Sequence, residues 1–336
     1  MPSSSSPEYN TESHHRSTCR GLLRIGLFLC IGVGTAYLLN GLIGKTLEQV
    51  RSGEIGVWND IVRGEIAANI LISGSSRGLV HFDPRAFEQE LGRRTYNISL
   101  NASRTDLQLA RLKTYLAHND KPELLIQSLD THSLALTREI YEPGQFMPYL
   151  KQTALYEGLL TIDPAVWGWK YIPLYGYAVE DLRYTWVYGA IEVLGFTTPV
   201  SRINGFEPRS RAWGSEFDSF RQANPNGVSI DFEPKGINIM KDLIALCKAE
   251  EIHLVLVYSP EYFEAIPLAT NREEIFDAFE AISAQYGVPF LDYSDSELGK
   301  RTGNFYNSQH MNALGAEAFS RDLATKLRRI KTASFN

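Results

Sequence analysis

The chain reads as an α/β protein, a parallel sheet covered on both faces by helices, carried on a single membrane-spanning helix. Three observations predict this. Short apolar runs alternate with helical patterns through most of the 336 residues; one N-terminal apolar run matches the thickness of a bilayer; and the first short run after it breaks into small residues at Gly74-Ser75-Ser76-Arg77-Gly78. With 44% hydrophobic and 21% charged residues, the chain can bury a large core in one big domain or two small ones. A net charge of -6 with dispersed lysines and arginines argues against a nucleic-acid partner.

Residues 1–20 read as a cytosolic disordered tail, because Met1 to Thr18 is rich in Ser, Pro and His and poor in large apolar residues. His14 and His15 then reflect tail composition rather than a metal site. From Gly21 an apolar run including Leu22, Ile25, Leu29, Ile31, Leu38 and Leu42 predicts a transmembrane helix over 21–44, about the span of a bilayer core. Arg16, Arg20 and Arg24 flank its N-terminal end against Lys45 alone at the other. That bias places the protein in the cytoplasmic membrane as a single-pass anchor, with its N-terminus cytosolic and its main domain extracytoplasmic. Two other fates of the segment are less favoured. Cleavage after Gly34-Thr35-Ala36 is disfavoured because the apolar run continues beyond it. Lipidation at Cys30 is disfavoured because Leu29, not a small residue, precedes it.

Cys247 is the one cysteine beyond the anchor, so that part can form no internal disulfide. Its helical apolar surroundings predict a core role.

After a connecting segment over 45–68, residues 69–332 form the extracytoplasmic domain. Runs at Asn69–Ser73, Thr95–Ser99, Glu123–Leu129, His253–Tyr258 and Pro289–Leu291 predict strands. Three- and four-residue apolar spacing predicts helices over Pro84–Leu91, Ser103–His118, Lys235–Glu251, Arg272–Tyr286 and Ala313–Ile330, the last capped by Asn312. Strand, helix, strand in repetition argues for parallel pairing. Between about 138 and 229 the alternation lapses into an aromatic-dense stretch holding Tyr141, Phe146, Tyr149, Tyr156, Trp167, Trp169, Tyr171, Tyr175, Tyr177, Tyr184, Trp186 and Tyr188. It is predicted to be a cap inserted beside the site. Such rings can stack on sugars or sit at a membrane interface, but for most of them packing the cap onto the sheet is the preferred reading.

In parallel sheets ligands bind beyond the carboxyl ends of the strands, which is where Ser76 would lie. A serine there is a nucleophile only if a histidine reaches it, and His310 in Asn307-Ser308-Gln309-His310-Met311-Asn312 is the candidate. On its own the Gly-Ser-Ser triplet would be read as the small residues of a tight strand-to-helix turn, and His310 as a helix-entry residue.

Three ordered blocks carry a resemblance. Gly74-Ser75-Ser76-Arg77, Tyr96-Asn97-Ile98-Ser99-Leu100-Asn101 and Phe305 to Ala316 resemble those of the SGNH/GDSL hydrolase superfamily. The chain more narrowly resembles its membrane-anchored envelope branch, which includes the lipoteichoic-acid D-alanylation protein and relatives of the alginate O-acetyltransferases. The resemblance covers roughly residues 66–332 apart from the insertion. It implies a three-layer α/β/α flavodoxin-like fold, with Ser76 as nucleophile and His310 as base of esterase or O-acyltransferase chemistry; separately, the residues call for no cofactor. The implied substrate is an acylated, above all acetylated, envelope or exported polysaccharide, and the implied partner is a multispanning membrane acyltransferase.

The sequence also departs from the family. Asn307 stands where the triad aspartate belongs, and loss of that carboxylate can cost about four orders of magnitude in rate. Asp292 or Asp295 could substitute, or simply cap a turn. Ser99 replaces the oxyanion glycine, although its amide could still donate, and Asn101 could add a side-chain donor. Asp130 lies near the position of the family's asparagine, where an ionised carboxylate accepts hydrogen bonds only. Arg77 could bind a substrate carboxylate or phosphate, or pair with an acidic neighbour. His81 and His132 lie near predicted strand ends as candidate site neighbours, with ordinary polar loop residues the preferred reading. No metal-ligand spacing is apparent. The competing reading is a catalytically silent SGNH-like module that binds glycans or partner proteins during envelope assembly.

Overall fold

The computed structural model describes residues 11–179, 190–191, 194–196 and 202–334. Tyr184, Trp186 and Tyr188 of the aromatic stretch lie outside the described residues. Helix α1 (Thr11–Leu47) contains an apolar span, Arg20–Leu47, long and apolar enough to cross a membrane and with none of its window buried in the protein. It begins at Thr11, so the second half of the segment read as a disordered tail is helical.

The connecting segment is not a bare linker. It folds into α2 (Gly53–Arg63), whose Val57, Trp58 and Ile61 are buried and whose end is closed by Gly64 in the left-handed conformation. Buried Asn59 donates to the carbonyls of Leu47 (2.9 Å) and Val50 (2.8 Å) and accepts from the Tyr149 hydroxyl (2.6 Å). One side chain therefore ties the exit of α1 to the domain, satisfying carbonyls that a helix end leaves free.

The domain then follows the predicted alternation. Strand β1 (Ile70–Ser73) leads into α3 (Ser76–His81) and α4 (Pro84–Leu91). Next come β2 (Thr95–Asn97), α5 (Thr105–Leu116) and β3 (Leu124–Leu129). The insertion supplies α6 (Thr153–Ile162), α7 (Val166–Tyr171), α8 (Tyr175–Val179) and α9 (Glu216–Ala223). The chain returns through α10 (Pro234–Ala249), β4 (His253–Tyr258), α11 (Arg272–Tyr286) and β5 (Phe290–Asp292). A small hairpin, β6 (Phe305–Asn307) and β7 (His310–Met311), precedes α12 (Ala313–Ser334). Asn312 caps α12 as expected, its Oδ1 accepting from the Gly315 amide at 3.0 Å.

The five long-range strands are all parallel, in the order β2-β1-β3-β4-β5. This is a flavodoxin-like, three-layer α/β/α architecture, and the order reverses between β1 and β3. Continuous apolar strands such as Ile70-Leu71-Ile72 make sense because both faces are covered. On one face Leu71, Leu125 and Leu256 pack with Trp58, Leu112, Tyr115, Leu243 and Phe279; on the other Ile72, Ile126 and Val257 pack with Phe82, Phe87, Phe305 and Phe319. Cys247 is buried in the first cluster, where burial pushes its thiol up to about 12, so it packs as an apolar residue. Within the insertion, Phe146, Tyr149 and Trp169 are buried, and Tyr149 stacks on Trp58 with ring centroids 5.7 Å apart. Most of the described cap thus packs onto the sheet domain.

The serine turn depends on close approach. A Cβ at Gly74 would lie 2.6 Å from Ser128 Cβ, and one at Gly78 would run into Ser99 Oγ and come within 3.3 Å of Ser128 Cβ. Glycine at both places lets α3 lie against the ends of β2 and β3. Gly78→Ala should therefore lower the unfolding free energy by about 1–3 kcal/mol in urea titrations of the detergent-solubilised protein; an unchanged value would mean that α3 can lift from the sheet without cost.

Candidate active site

Ser76 is the first residue of α3, beyond the C-terminal end of β1 and at the reversal of strand order. Ser75 caps this short helix from extended backbone, its Oγ accepting from the Arg77 amide at 3.4 Å. That leaves Ser76 Oγ facing the β6–β7 hairpin, and His310 Nε2 lies 2.8 Å from it. The predicted pair is brought together across 234 residues of sequence.

Behind the imidazole stands Asn307. Asn307 and His310 face each other in the hairpin register, with Ser308 and Gln309 between them. Asn307 Oδ1 accepts from the amides of Gln309 (3.1 Å) and His310 (2.9 Å) and lies 3.0 Å from His310 Nδ1. Two backbone donors fix which end of the amide is oxygen, since the NH2 end could not accept them. Nδ1 therefore carries the proton and donates it to Asn307, leaving the Nε2 lone pair toward the Ser76 hydroxyl. Tyr306 lies parallel to the His310 ring at 5.5 Å and 8°.

Neither aspartate alternative supplies the missing carboxylate. Asp292 accepts from the Ser294 amide (2.8 Å) and hydroxyl (2.9 Å), which caps its own turn, and Asp295 is exposed near Lys300. Burial, followed by the positive charge of Arg77, lowers His310 to about 4; Asp130 opposes this and Arg209 adds to it.

Three of the residues expected to bind substrate or oxyanion do other work. The Ser99 amide donates to Asn97 Oδ1 at 2.9 Å and is not available to an oxyanion. Asp130 points behind the turn: Oδ2 accepts from Ser75 Oγ, and Oδ1 accepts from the His132 amide at 2.8 Å. Although its burial acts in the opposite direction, His132, Arg104, the Ser75 hydroxyl and Arg77 hold the Asp130 carboxyl below its usual value. It buttresses the serine turn as an ionised group. Arg77 is buried, with Nη2 donating to the Ser259 and Pro260 carbonyls and Nη1 lying 3.5 Å from Glu261. Its guanidinium also lies 4.4 Å from the centre of the Tyr258 ring. Substrate binding by Arg77 is therefore replaced by structural pairing, because a buried cation needs an anion and acceptors close by.

Asn101 remains a candidate donor. It follows Leu100, whose amide donates to the Gly74 carbonyl at 2.9 Å, so it sits on the rim of the serine turn, half-buried, with no hydrogen-bond partner among the described residues. The Ser76 amide is the second candidate, since first-turn amides have no acceptor within their helix. A cavity of about 250 Å3 is lined by Ala102, the residue after Asn101, and by Arg104, Thr137, Arg138 and Tyr141 among others; Ser76 and His310 are not part of its lining.

Sequence reasoning undervalued His81. It is fully buried at the end of α3; Nε2 accepts from the Met311 amide at 2.9 Å, so Nδ1 carries the proton and lies 2.8 Å from Ser259 Oγ. Burial, then Arg77 and His310, keeps its pKa well below the ordinary value. Neutral His81 thus holds the residue next to His310. Its position five residues after Ser76 was the sole cue in the sequence.

Fold and site together define an α/β protein with a Ser–His–Asn hydrogen-bonded constellation at the switch point of its sheet. No protein-family model matches the chain, and no curated protein matches it. Among solved structures, it is similar to a GDSL-like lipase from Bacteroides thetaiotaomicron, with TM-score 0.37 and 11% identity over 77% of this chain and 88% of that one. It is also similar to the inhibitor-bound aryl esterase of M. smegmatis, with TM-score 0.33 and 15% identity over 77% and 98%. These likenesses are remote, and the chemistry of the site rests on its own geometry.

The charge state of His310 is measurable. Its imidazole should titrate near 4 by NMR, and Asn307→Asp should move that titration upward by placing a negative charge at Nδ1. Because the folded value lies below the unfolded one, stability is present above about 6.5 and is lost as pH falls toward 4. An ordinary titration in the wild type, or no rise in Asn307→Asp, would contradict the assigned environment.

Proposed function

We propose that this is a membrane-anchored, outward-facing SGNH-type serine esterase or O-acyltransferase acting on acetyl or related acyl groups of an envelope or exported polysaccharide. The observation that carries the chemistry is the Ser76 Oγ to His310 Nε2 contact of 2.8 Å with Asn307 Oδ1 behind Nδ1. Ser76 Oγ attacks the ester carbonyl carbon while its proton passes to His310 Nε2. The developing oxyanion is met by the Ser76 amide and the Asn101 side chain. His310 then returns the proton to the leaving alcohol oxygen, giving an acyl-serine. Water or a sugar hydroxyl, deprotonated by the same nitrogen, releases the acyl group and restores Ser76.

Asn307 fixes the tautomer and ring direction but adds no charge to stabilise imidazolium. A histidine lowered to about 4 is neutral at pH 7 and ready to accept a proton, but it is a weak base. The reading therefore implies slow turnover, or a substrate whose own binding aligns the ester. The apolar span of α1 supports the anchor, and the arginines on its N-terminal flank support an extracytoplasmic domain. A partner multispanning acyltransferase, which would supply the acyl group, belongs to the same proposal.

A second reading, a silent glycan- or partner-binding module, is favoured by the absent carboxylate and by the loss of the Ser99 amide to Asn97. The two separate in one assay. Acetate release from an acetylated polysaccharide, or acetyl transfer to an unmodified one, should be abolished by Ser76→Ala and raised by Asn307→Asp. Turnover that survives Ser76→Ala would remove Ser76 from the chemistry, and binding without turnover in the wild type would select the silent module.

A further inference from the structure

The aromatic cap has an exposed side that the acyl chemistry does not use. In α7, Val166 and Trp169 are buried in the domain core, whereas Trp167 is 55% exposed, Tyr171 49% and the following Ile172 45%. Tyr175, at the start of α8, is 37% exposed. Trp167 and Tyr171 lie together, with ring centroids 5.5 Å apart. Aromatic residues of this kind are enriched where apolar chains meet headgroups.

The contacts of this face point to what covers it. The Tyr37 hydroxyl of α1 donates to the Tyr171 carbonyl at 3.4 Å, and Asn40 Oδ1 of α1 accepts from the Leu174 amide at 3.0 Å. Both side chains are polar interruptions in the apolar span Arg20–Leu47. A polar side chain inside a bilayer needs an internal partner, and the turn between α7 and α8 supplies one for each. With a rise of about 1.5 Å per residue, Asn40 lies about 7.5 Å and Tyr37 about 12 Å along the helix from Lys45. Asn59 fixes the end of that helix against the domain, so the cap and the span share one frame. If α1 crosses the membrane with Lys45 at its boundary, Tyr171 to Leu174 lie below that boundary.

We propose that α7 and the turn into α8, residues 166–175, form an in-plane wedge seated in the lipid leaflet on the domain side of the membrane. Trp167, Tyr171, Ile172 and Tyr175 face acyl chains and headgroups, and Val166 and Trp169 bind the wedge to the domain. The bound surface is phospholipid. Lys170, the charged residue of α7, keeps its Nζ 3.7 Å from the centre of the Tyr156 ring, so its charge is met by an aromatic face. The sheet domain is then held by two elements rather than swinging from one. The inference rests on α1 spanning the bilayer and not on the acyl chemistry, so it stands or falls apart from Ser76.

The test uses the full chain in phosphatidylcholine–phosphatidylglycerol vesicles, with Cys19→Ser and Cys30→Ser and with buried Cys247 retained. An environment-sensitive fluorophore is attached at Ile172→Cys. Leu42→Cys, on the exposed surface of α1, is the membrane reference, and Tyr286→Cys, at the end of α11, is the aqueous reference. Lipid carrying a nitroxide near the headgroup should quench position 172 to the same degree as position 42, and iodide in the buffer should leave it bright. Position 286 should show the reverse. Trp167→Phe, which carries no label, should reduce the quenching of intrinsic fluorescence by brominated lipid. Iodide quenching of position 172 with no lipid quenching, or intrinsic quenching unchanged by Trp167→Phe, would overturn the wedge. A position 42 that lipid does not quench would overturn it too, by removing the span.

Discussion

The site depends on a closed circuit that runs from Ser76 to Arg77, across to Ser259, on to His81 and Met311, and back through His310. Arg77 holds the Ser259 carbonyl, Ser259 Oγ meets His81 Nδ1, His81 Nε2 accepts from the Met311 amide, and His310 Nε2 meets Ser76 Oγ. The circuit joins three segments that the sheet alone would leave independent: the turn after β1, the loop after β4 and the β6–β7 hairpin. Every link is buried or half-buried, so breaking one strands a polar group away from water at a cost of about 1–3 kcal/mol. Such a frame fixes a two-residue contact more firmly than helix packing could, because its geometry is directional.

The same circuit explains the electrostatics. A buried arginine next to Ser76 and a second, Arg209, near the hairpin both disfavour a charged His310. Glu261 and Asp130 offset Arg77, but each is held by its own partners: Glu261 by Tyr258 and Arg272, Asp130 by Ser75 and His132. Asn307 completes the orientation without completing the charge. The result is a histidine aligned as a base but biased toward its neutral form, an arrangement in which substrate and solvent exclusion must supply what a carboxylate would otherwise give.

Much of this was legible in the residues. The five strands of the parallel sheet lie within a residue or two of the predicted runs because parallel strands covered on both faces are nearly continuous apolar runs, and Ile70 to Ser73 is one. The short β6–β7 hairpin has no such run and was not predicted. His310 and Asn307 are legible because a short block before the last helix fixes their spacing locally, and Ser76 because small residues break the apolar run of β1 just before it. What failed was side-chain direction. Arg77, Asp130 and Ser99 all sit on the expected rim, but which way each turns depends on partners up to 184 residues away, such as Glu261 for Arg77. His81 gave little signal, since a histidine that accepts from a backbone amide 230 residues away leaves no local pattern. Helix α2, by contrast, could have been read: Ile55, Trp58, Ile61 and Val62 recur at three- and four-residue intervals in the supposed linker. The six-residue α3 is too short for any period to declare itself.

The most direct test of the central claim, that this circuit holds Ser76 as a nucleophile activated by His310, is covalent labelling of the full-length protein with a fluorophosphonate, followed by mass spectrometry. One adduct on Ser76, absent in Ser76→Ala and strongly slowed in both His310→Ala and His81→Phe, is the result expected. No adduct in the wild type, or labelling at the same rate when His310 is replaced, would contradict it.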